Sequence, residues 1–289
     1  MSFPLPSELV ATAQREGHGA WLQTLPSVVE EMRRRWDLTI GPPFQPGGET
    51  AWVAPAGRTD VLDLVVKIGW PHYEARDEAV GLTLWAGQGA VRVHEVAESE
   101  SHTALLLERC VPGTPLSVRP EFEQDKVIAG LLERLWQPPP EDHRLRPLQS
   151  MCEAWAAEFE RRTSGSDRST ADAALVRDGV ALFRRLSDTP DHPVMLATDL
   201  HAGNVLATTR EPWLIIDPKP YVGDRTYDVL QHLLNVERLT EDPADLCARM
   251  AGLCGLEVDR VTQWLLARCV IESEHQPELL AVARRLAAC

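Results

Sequence analysis

The stretch LATDLHAGNVLATTREPWLIIDPK, residues 196–219, decides the fold of this chain. It contains two short apolar runs of β type, 205–207 and 213–216, and the polar segment TTREP separates them. Two such runs joined by a short polar segment predict a β-hairpin. Asn204 precedes the first run and Asp217 follows the second, so we expect the hairpin to bring these two side chains close together.

Two carboxylates and one carboxamide at these intervals are typical of a phosphoryl-transfer site. Mg²⁺ prefers oxygen ligands, so Asn204 and Asp217 are the predicted metal ligands. Asp199 lies five residues before Asn204, the interval found in the protein-kinase catalytic loop. Asp199 is therefore the predicted catalytic residue, which accepts or orients the attacking hydroxyl, and ATP with Mg²⁺ is the predicted cofactor. The alternative is that these residues only cap turns.

An upstream lysine and glutamate provide an independent indication of nucleotide binding. Lys67 ends the apolar run VLDLVVKI, where a lysine needs a specific partner unless it extends to solvent from an edge strand. The next helical segment, 73–86, carries Glu74 and Glu78 one turn apart. Glu78 is the better placed because it lies beside the apolar stripe. Lys67 paired with Glu78 is the predicted contact to the nucleotide phosphates.

Two further segments are assigned by position alone. Gly47 and Gly48 are candidates for a loop over the phosphates, although an ordinary turn explains them equally well. LLLERCVPG lies where the β-rich region ends, which is the position of the hinge in a bilobal kinase. We expect the backbone groups of Glu108, Arg109 and Cys110 to hydrogen-bond adenine there.

The order of predicted elements indicates an α+β fold. A helical segment at 7–36 precedes strand-like runs at 51–54 and 61–68, the helical segment 73–86, and two strands within 89–110. A Pro/Gly connector at 110–116 follows, and the remaining segments with helical spacing are 121–136, 149–162, 171–187, 225–238, 243–254, 258–270 and 276–288.

We therefore predict a bilobal, protein-kinase-like fold. Residues 1–111 would form an N-terminal nucleotide-binding lobe with an antiparallel sheet and one crossing helix. Residues 112–289 would form a helical C-terminal lobe with the catalytic loop, the metal site and the substrate-binding surface. The active site is expected in the cleft between the two lobes.

Composition limits the partners. The formal charge of −14, from 29 basic and 43 acidic residues, disfavours nucleic acid and anionic lipid as partners. It suits a cationic small molecule, although many cytosolic proteins are simply acidic. The N-terminus lacks the pattern of a secretory signal, and the six cysteines form no CxxC pair, so we expect reduced thiols and a cytosolic location. A monomer or weak dimer is expected.

Over nearly its whole length the chain resembles the aminoglycoside/hydroxyurea phosphotransferase family, the group of streptomycin 6-phosphotransferase. The strings that carry the resemblance are HGAWLQTLP, LVVKIGWP, DEAVGLTLWAGQGAVRVHEV, ALLLERCVPGTPL, DLHAGNVL and WLIIDPKPYVGDRTYDV. The resemblance implies a small kinase-like enzyme that uses MgATP to phosphorylate a hydroxyl on an antibiotic. It also implies the roles already given to Asp199, Asn204, Asp217, Lys67 and Glu78.

The chain departs from the usual family sequence at two places, and two further aspartates match it. The family commonly has H-G-D-L-H where this chain has Ala197-Thr198-Asp199-Leu200-His201, and D-P-K-G where Pro220 follows Lys219. The missing histidine supports the loop backbone, so we expect its loss to loosen the loop without removing a ligand. We also expect Asp224 to brace the catalytic loop and Asp228 to cap or anchor the following helix.

Three functions remain open from the sequence. The first is an ATP-dependent O-phosphotransferase for a cationic molecule, most simply an aminoglycoside such as streptomycin, with Glu237, Glu241 or Glu272 contacting the cation. The second is the same enzyme acting on a sugar or specialised metabolite. The third is a nucleotide-binding pseudokinase, which Ala197 favours and the retained site residues disfavour.

Overall fold

The structure, a computed structural model, describes residues 3–59, 63–71, 73–164, 170–190 and 192–288. Its helices are α1 (Ser7–Arg15), α2 (Gly19–Arg35), α3 (Tyr73–Trp85), α4 (Glu121–Leu135), α5 (Leu148–Thr163), α6 (Thr170–Asp188), α7 (Leu230–Leu234), α8 (Arg238–Glu241), α9 (Pro243–Cys254), α10 (Val258–Glu272) and α11 (Leu279–Leu286). Its strands are β1 (Thr39–Ile40), β2 (Ala51–Gly57), β3 (Leu64–Gly69), β4 (Val93–Glu98), β5 (Thr103–Glu108), β6 (Pro112–Pro115), β7 (Val194–Leu196), β8 (Val205–Thr208), β9 (Trp213–Ile215) and β10 (Tyr221–Gly223). Short 3₁₀ turns lie at Leu116–Val118, Ala202–Asn204 and Arg225–Val229.

Contacts divide the chain into two compact units. Unit 1 contains Met1–Thr114 and Leu206–Ile216, and unit 2 contains Pro115–Val205 and Asp217–Cys289. The sequence prediction placed a single boundary after residue 111. In the structure the chain instead crosses between the units three times, because the hairpin 206–216 packs with unit 1.

Unit 1 is built on a five-stranded antiparallel sheet with strand order β1-β2-β3-β5-β4. The central strand, β3, alternates in burial because successive side chains point to opposite faces. Leu64, Val66 and Ile68 are fully buried and pack in one core with apolar residues of α1 and α2. Lys67 points to the other face, in register with Val53 on β2 and Leu105 on β5.

An arginine on the hairpin turn attaches the hairpin to the rest of unit 1. Arg210 donates to both carboxylate oxygens of Glu108, at 2.7 and 2.9 Å, and to the carbonyls of Gly87 and Ala90, at 2.8 and 3.0 Å. A backbone bond of 2.9 Å also joins Ile215 N–H to the Gly89 carbonyl. The planar guanidinium suits such a multiple contact, because its donors lie in a fixed fork.

Unit 2 is helical and centred on α10. This helix packs against α5, α6, α7, α9 and α11. Its residues Trp264 and Leu265 are fully buried, which is expected of a helix surrounded by others. One small ladder interrupts the helices: β7 pairs antiparallel with β10, with Leu196 opposite Tyr221. This ladder places the segment after β7 beside the segment before β10.

The predicted α+β class is confirmed, and several element bounds differ. The segment 7–36 forms two helices, because Gly17 adopts a φ of +81° between them. The segment 225–238 is a 3₁₀ turn followed by α7, with α8 beginning only at its end. Strands β7 and β10 are too short to show a periodic pattern. Residues 61–62 of the predicted strand and Cys289 lie outside the described residues.

The helices of the described ranges include none that combines the length and the apolar character needed to cross a membrane.

Candidate active site

The predicted lysine–glutamate pair is formed inside unit 1. Lys67 Nζ donates to both carboxylate oxygens of Glu78, at 2.8 and 2.7 Å. The side chains are 15% and 4% exposed, so the pair is largely shielded from water. Lys67 comes from the centre of the sheet and Glu78 from the middle of α3. The choice of Glu78 over Glu74 therefore agrees with the geometry.

The predicted hinge segment follows β5. The N–H groups of Glu108 and Arg109 bond to the carbonyls of Arg92 and Asp63, at 2.9 and 3.1 Å. Among the described residues no backbone partner accepts from Cys110 N–H. The Glu108 carboxylate is held by Arg210, at 2.7 and 2.9 Å. Adenine binding by the main chain of this segment stays a prediction. Burial raises the pKa of the Cys110 thiol to about 12, which makes it an unreactive apolar side chain.

The catalytic loop of unit 2 begins directly after β7. Asn204 Nδ2 donates to the Asp199 carbonyl, at 3.1 Å, and Asn204 N–H bonds to the His201 carbonyl, at 2.9 Å. The His201 ring lies over Gly203, where an added Cβ would be 2.7 Å from the ring carbon Cε1. A residue with a Cβ would have to displace the His201 ring. The five-residue spacing between Asp199 and Asn204 thus produces a closed, internally bonded loop.

A buried aspartate braces the loop at the position of the missing histidine. Asp228, fully buried, accepts from Ala197 N–H at 3.0 Å and from Thr198 N–H at 2.6 Å. Trp136 Nε1 donates to it as well, at 3.1 Å. Burial raises the pKa of Asp228 to about 6, against these three hydrogen bonds. The expectation that losing histidine loosens the loop is therefore not supported, since the backbone at 197 is held.

The roles expected of Asp224 and Asp228 are wrong. Asp224 caps the 3₁₀ turn by accepting from Thr226 N–H at 2.9 Å. Its other oxygen accepts from Arg260 and Trp264, both at 2.7 Å, which anchors the turn to α10. Asp228 is the residue that braces the loop. The 3₁₀ geometry is the reason, because it turns Asp228 toward β7 instead of along a helix.

Thr198 and Lys219 join the catalytic loop to the segment that contains Asp217. Lys219 N–H bonds to the Ala197 carbonyl, at 2.9 Å, and Thr198 Oγ1 donates to the Lys219 carbonyl, at 2.6 Å. Thr198 has a φ of +47°, at the position where the family string has glycine. This conformation is costly for a β-branched residue, and the two hydrogen bonds from Thr198 offset the cost. Lys219 Nζ then lies 2.6 Å from Asp199 Oδ2.

The predicted metal ligands also lie in unit 2, one at each end of the hairpin. Asn204 uses its amide nitrogen to bond Asp199, which leaves the amide oxygen as its outward group. Asp217 has a φ of +51°. The described residues contain no cluster of three or more His, Cys, Asp or Glu side chains suited to a metal. One carboxylate and one amide oxygen nevertheless fit Mg²⁺, which keeps waters and takes phosphate oxygens as further ligands.

A pocket of about 490 Å³ opens beside the catalytic loop within unit 2. Of the three acidic residues proposed to contact a cation, only Glu237 lines it. Glu272 pairs with Arg268 at 2.9 Å, and Glu241 is exposed elsewhere. Its lining includes Glu121, His201, Gly203, Asn235 and Glu237.

Glu121 joins two walls of this pocket. It accepts from Glu237 N–H at 2.6 Å and from Arg238 Nε at 2.7 Å. Arg238 continues to the buried carboxylate of Asp125, at 2.8 Å. Burial alone would raise the pKa of Asp125, but hydrogen bonds involving His232, Arg249 and Arg238 lower it to about 2. The walls are thus fixed by ion pairs.

The functional contacts that the sequence prediction missed are those of Thr198, Asp228, Arg210 and Lys219. The sequence did contain one signal for Lys219. Lysine is rare in this chain: the three lysines are Lys67, Lys126 and Lys219, and the other basic residues are arginine. Two of the three occur in the predicted site segments.

Comparison with known proteins identifies the family. Residues 43–277 match the model of a family described as aminoglycoside/hydroxyurea antibiotic resistance kinase. Hydroxyurea phosphotransferase of Kitasatospora aureofaciens is 36% identical over 275 residues, covering 92% of this chain and 78% of the relative. Streptomycin 6-kinase of Streptomyces glaucescens is 36% identical over 226 residues, covering 78% of this chain and 72% of the relative.

Solved structures confirm the protein-kinase-like fold. The crystal structure of aminoglycoside phosphotransferase APH(4)-Ia superposes with a TM-score of 0.60 at 17% identity, covering 92% of this chain and 98% of that one. Choline kinase LicA from Streptococcus pneumoniae gives 0.60 at 14% identity, covering 91% of each chain. The chain belongs to the aminoglycoside/hydroxyurea antibiotic resistance kinase family and is a small-molecule phosphotransferase that acts on a hydroxyl group.

Proposed function

We propose that this chain transfers the γ-phosphoryl group of ATP to a hydroxyl of a cationic small molecule, an aminoglycoside such as streptomycin. The observation that carries the proposal is the arrangement around Asp199. One carboxylate oxygen is held by Lys219, and among the described residues none makes a hydrogen bond or ion pair with the other. A carboxylate fixed in this way is suited to receive the acceptor hydroxyl, and residues 201–203 of the same loop line a pocket of about 490 Å³.

In the proposed reaction the acceptor oxygen attacks the γ-phosphorus in line. Its proton passes to Asp199 Oδ1, and the bond from phosphorus to the bridging oxygen breaks with its electron pair remaining on ADP. Lys67, oriented by Glu78, would bind the α- and β-phosphates. Cys110 N–H is the donor that the hinge offers to adenine. The proposed role of these residues is to position the nucleotide and to balance the negative charge of its phosphates.

Asn204 and Asp217 are the residues that would hold Mg²⁺. The ion, when bound with the nucleotide, neutralises charge on the phosphate oxygens. The remaining contribution comes from the chain itself: the Asn204 amide links the metal site to the Asp199 backbone, so the two parts of the site share one loop.

The pocket beside His201 is the proposed acceptor site. Among its described lining residues, the Glu237 carboxylate is acidic and has no hydrogen bond or ion pair, whereas Glu121 is neutralised by Arg238. Burial lowers the pKa of His201, so the imidazole beside the pocket is neutral near pH 7. An unpaired carboxylate at the rim is suited to a guanidinium or ammonium group of the acceptor.

Hydroxyurea is the second candidate acceptor, because the relative that acts on it aligns over 92% of this chain. A molecule as small as hydroxyurea would fill only a small part of the 490 Å³ pocket and has no cation for Glu237. This difference in size and charge favours the aminoglycoside. A sugar or another metabolite remains the further alternative.

Acceptor-dependent ADP release tests the proposal. We expect release with streptomycin or a related aminoglycoside, and mass spectrometry should show the phosphorylated product. Hydroxyurea, neutral amino-free cyclitols and buffer serve as comparisons in the same assay. Turnover with hydroxyurea and with none of the cationic acceptors would contradict the proposed substrate class while leaving the kinase activity in place.

Replacing Glu237 by Gln should raise the KM for a cationic acceptor about fivefold to tenfold, with kcat and the KM for ATP unchanged. The reason is that one rim carboxylate contributes about 1 kcal/mol to binding a cation near a protein surface. Glu241→Gln is the matched control, because Glu241 is exposed outside the pocket. Equal effects of the two substitutions would show that only the general surface charge matters.

A further inference from the structure

We propose that Lys219 is a positioning residue for phosphoryl transfer, which orients the Asp199 carboxylate toward the acceptor and offsets its charge. The inference rests on the proposed role of Asp199. Its basis is the contact of 2.6 Å between Lys219 Nζ and Asp199 Oδ2, together with the way the backbone enforces this contact.

Lys219 is brought to Asp199 by contacts other than the ion pair between the two side chains. Ladder β7–β10 ends with Leu196 opposite Tyr221, immediately before Ala197 and just after Pro220. The bonds between Lys219 and residues 197 and 198 continue this pairing by one further step. Asp228 holds the amides of the same two residues from the buried side. The position of the lysine is therefore fixed independently of its ion pair.

The ion pair determines how the carboxylate is used. Asp199 is 22% and Lys219 is 33% exposed at the side chain, so both are partly shielded from water. A hydrogen-bonded ammonium on Oδ2 fixes the carboxylate rotamer and leaves Oδ1 for the acceptor. It also reduces the repulsion between the Asp199 carboxylate and the negative charge of the phosphoryl group during transfer.

The identity of the residue supports this role. Twenty-six of the 29 basic residues are arginine, and surface ion pairs throughout the chain use arginine. Lysine provides a compact point charge on a flexible stem, whereas arginine provides a planar fork that binds both oxygens of a carboxylate. An arginine at position 219 would also bond Asp199 Oδ1, and the acceptor hydroxyl could then no longer bind that oxygen.

Kinetics of Lys219→Met and Lys219→Arg test the proposal. We expect Lys219→Met to lower kcat about 10²-fold, with the acceptor KM and the MgATP affinity changed less than about threefold. Lys219→Arg should restore no more than about a tenth of the lost rate. Lys126→Met, at an exposed position on α4, is the matched control and should leave all three constants unchanged. An equal loss in nucleotide affinity would overturn the proposal, because Lys219 would then be a phosphate ligand.

A spectroscopic measurement tests the ion pair without turnover. With ε-¹⁵N-lysine labelling the full chain has three side-chain ammonium signals, assigned by the Lys→Arg variants. Asp199→Asn should shift the Lys219 signal and leave those of Lys67 and Lys126 in place. An unmoved Lys219 signal would overturn the proposal whatever the kinetics show. If this shift occurs but Asp199→Asn turns over normally, the catalytic role of Asp199 fails, and the role of Lys219 fails with it.

Discussion

Asp199→Asn should lower phosphoryl transfer by at least about 10³-fold while leaving MgATP binding within about threefold of the wild type. The carboxamide keeps the size of the side chain but cannot accept the acceptor proton, and general base catalysis contributes about 10²- to 10⁴-fold. Acceptor-dependent ADP release measures the first quantity, and displacement of a fluorescent nucleotide measures the second.

Asp178→Asn provides the control for this substitution. Asp178 lies on α6 with its side chain 69% exposed, and it pairs with the adjacent Arg177. Its replacement should change neither rate nor binding. Full turnover by Asp199→Asn with a good acceptor would exclude the proposed base. A parallel loss of nucleotide binding would instead indicate that the loop had collapsed.

Asp228→Ala should lower the free energy of unfolding by about 3 kcal/mol or more and should also abolish activity. The substitution leaves two loop amides and Trp136 Nε1–H without their buried acceptor, and each unsatisfied buried donor costs about 1–3 kcal/mol. Urea titration at neutral pH measures the change. Asp178→Ala, at the surface, should change the free energy by less than about 0.5 kcal/mol.

The raised pKa of Asp228 gives this residue a distinctive pH dependence. Its pKa is about 6 in the folded state and 3.8 ordinarily, so between these values the folded state binds more protons than the unfolded state. Stability contributed by this group therefore falls as pH rises from about 4 to about 6. Asp228→Asn removes that dependence. The difference in the free energy of unfolding between the wild type and this variant should therefore change with pH over this range. A constant difference across the range would contradict the assigned pKa.

The sequence was sufficient for the parts of the site that depend on short-range spacing. Asp199 and Asn204 belong to one loop, and Lys67 and Glu78 belong to a strand and the next helix. The five-residue interval identifies the first pair, and the periodicity of the strand and the helix identifies the second. The hairpin was predictable for the same reason, since two β-rich runs flank a polar turn.

The sequence was insufficient where a side chain contacts residues that are distant in the sequence. Asp228 braces residues 197 and 198, about thirty positions earlier, and nothing in the local pattern around Asp228 distinguishes a brace from a helix cap. A still longer separation joins Arg210 to Glu108, which are 102 positions apart. Thr198 illustrates a different limit, because a positive φ at threonine follows from tertiary hydrogen bonds and not from its own preference.

The attachment of the hairpin by Arg210 has a consequence for dissecting the protein. Residues 206–216 belong to unit 1, although residues 205 and 217 on either side belong to unit 2. A fragment ending at residue 114 would lack the hairpin, and the Glu108 carboxylate would lose its ion pair with Arg210. Neither unit is a contiguous piece of chain, so a rearranged gene that supplies residues 206–216 through a new linker is needed to produce unit 1 alone.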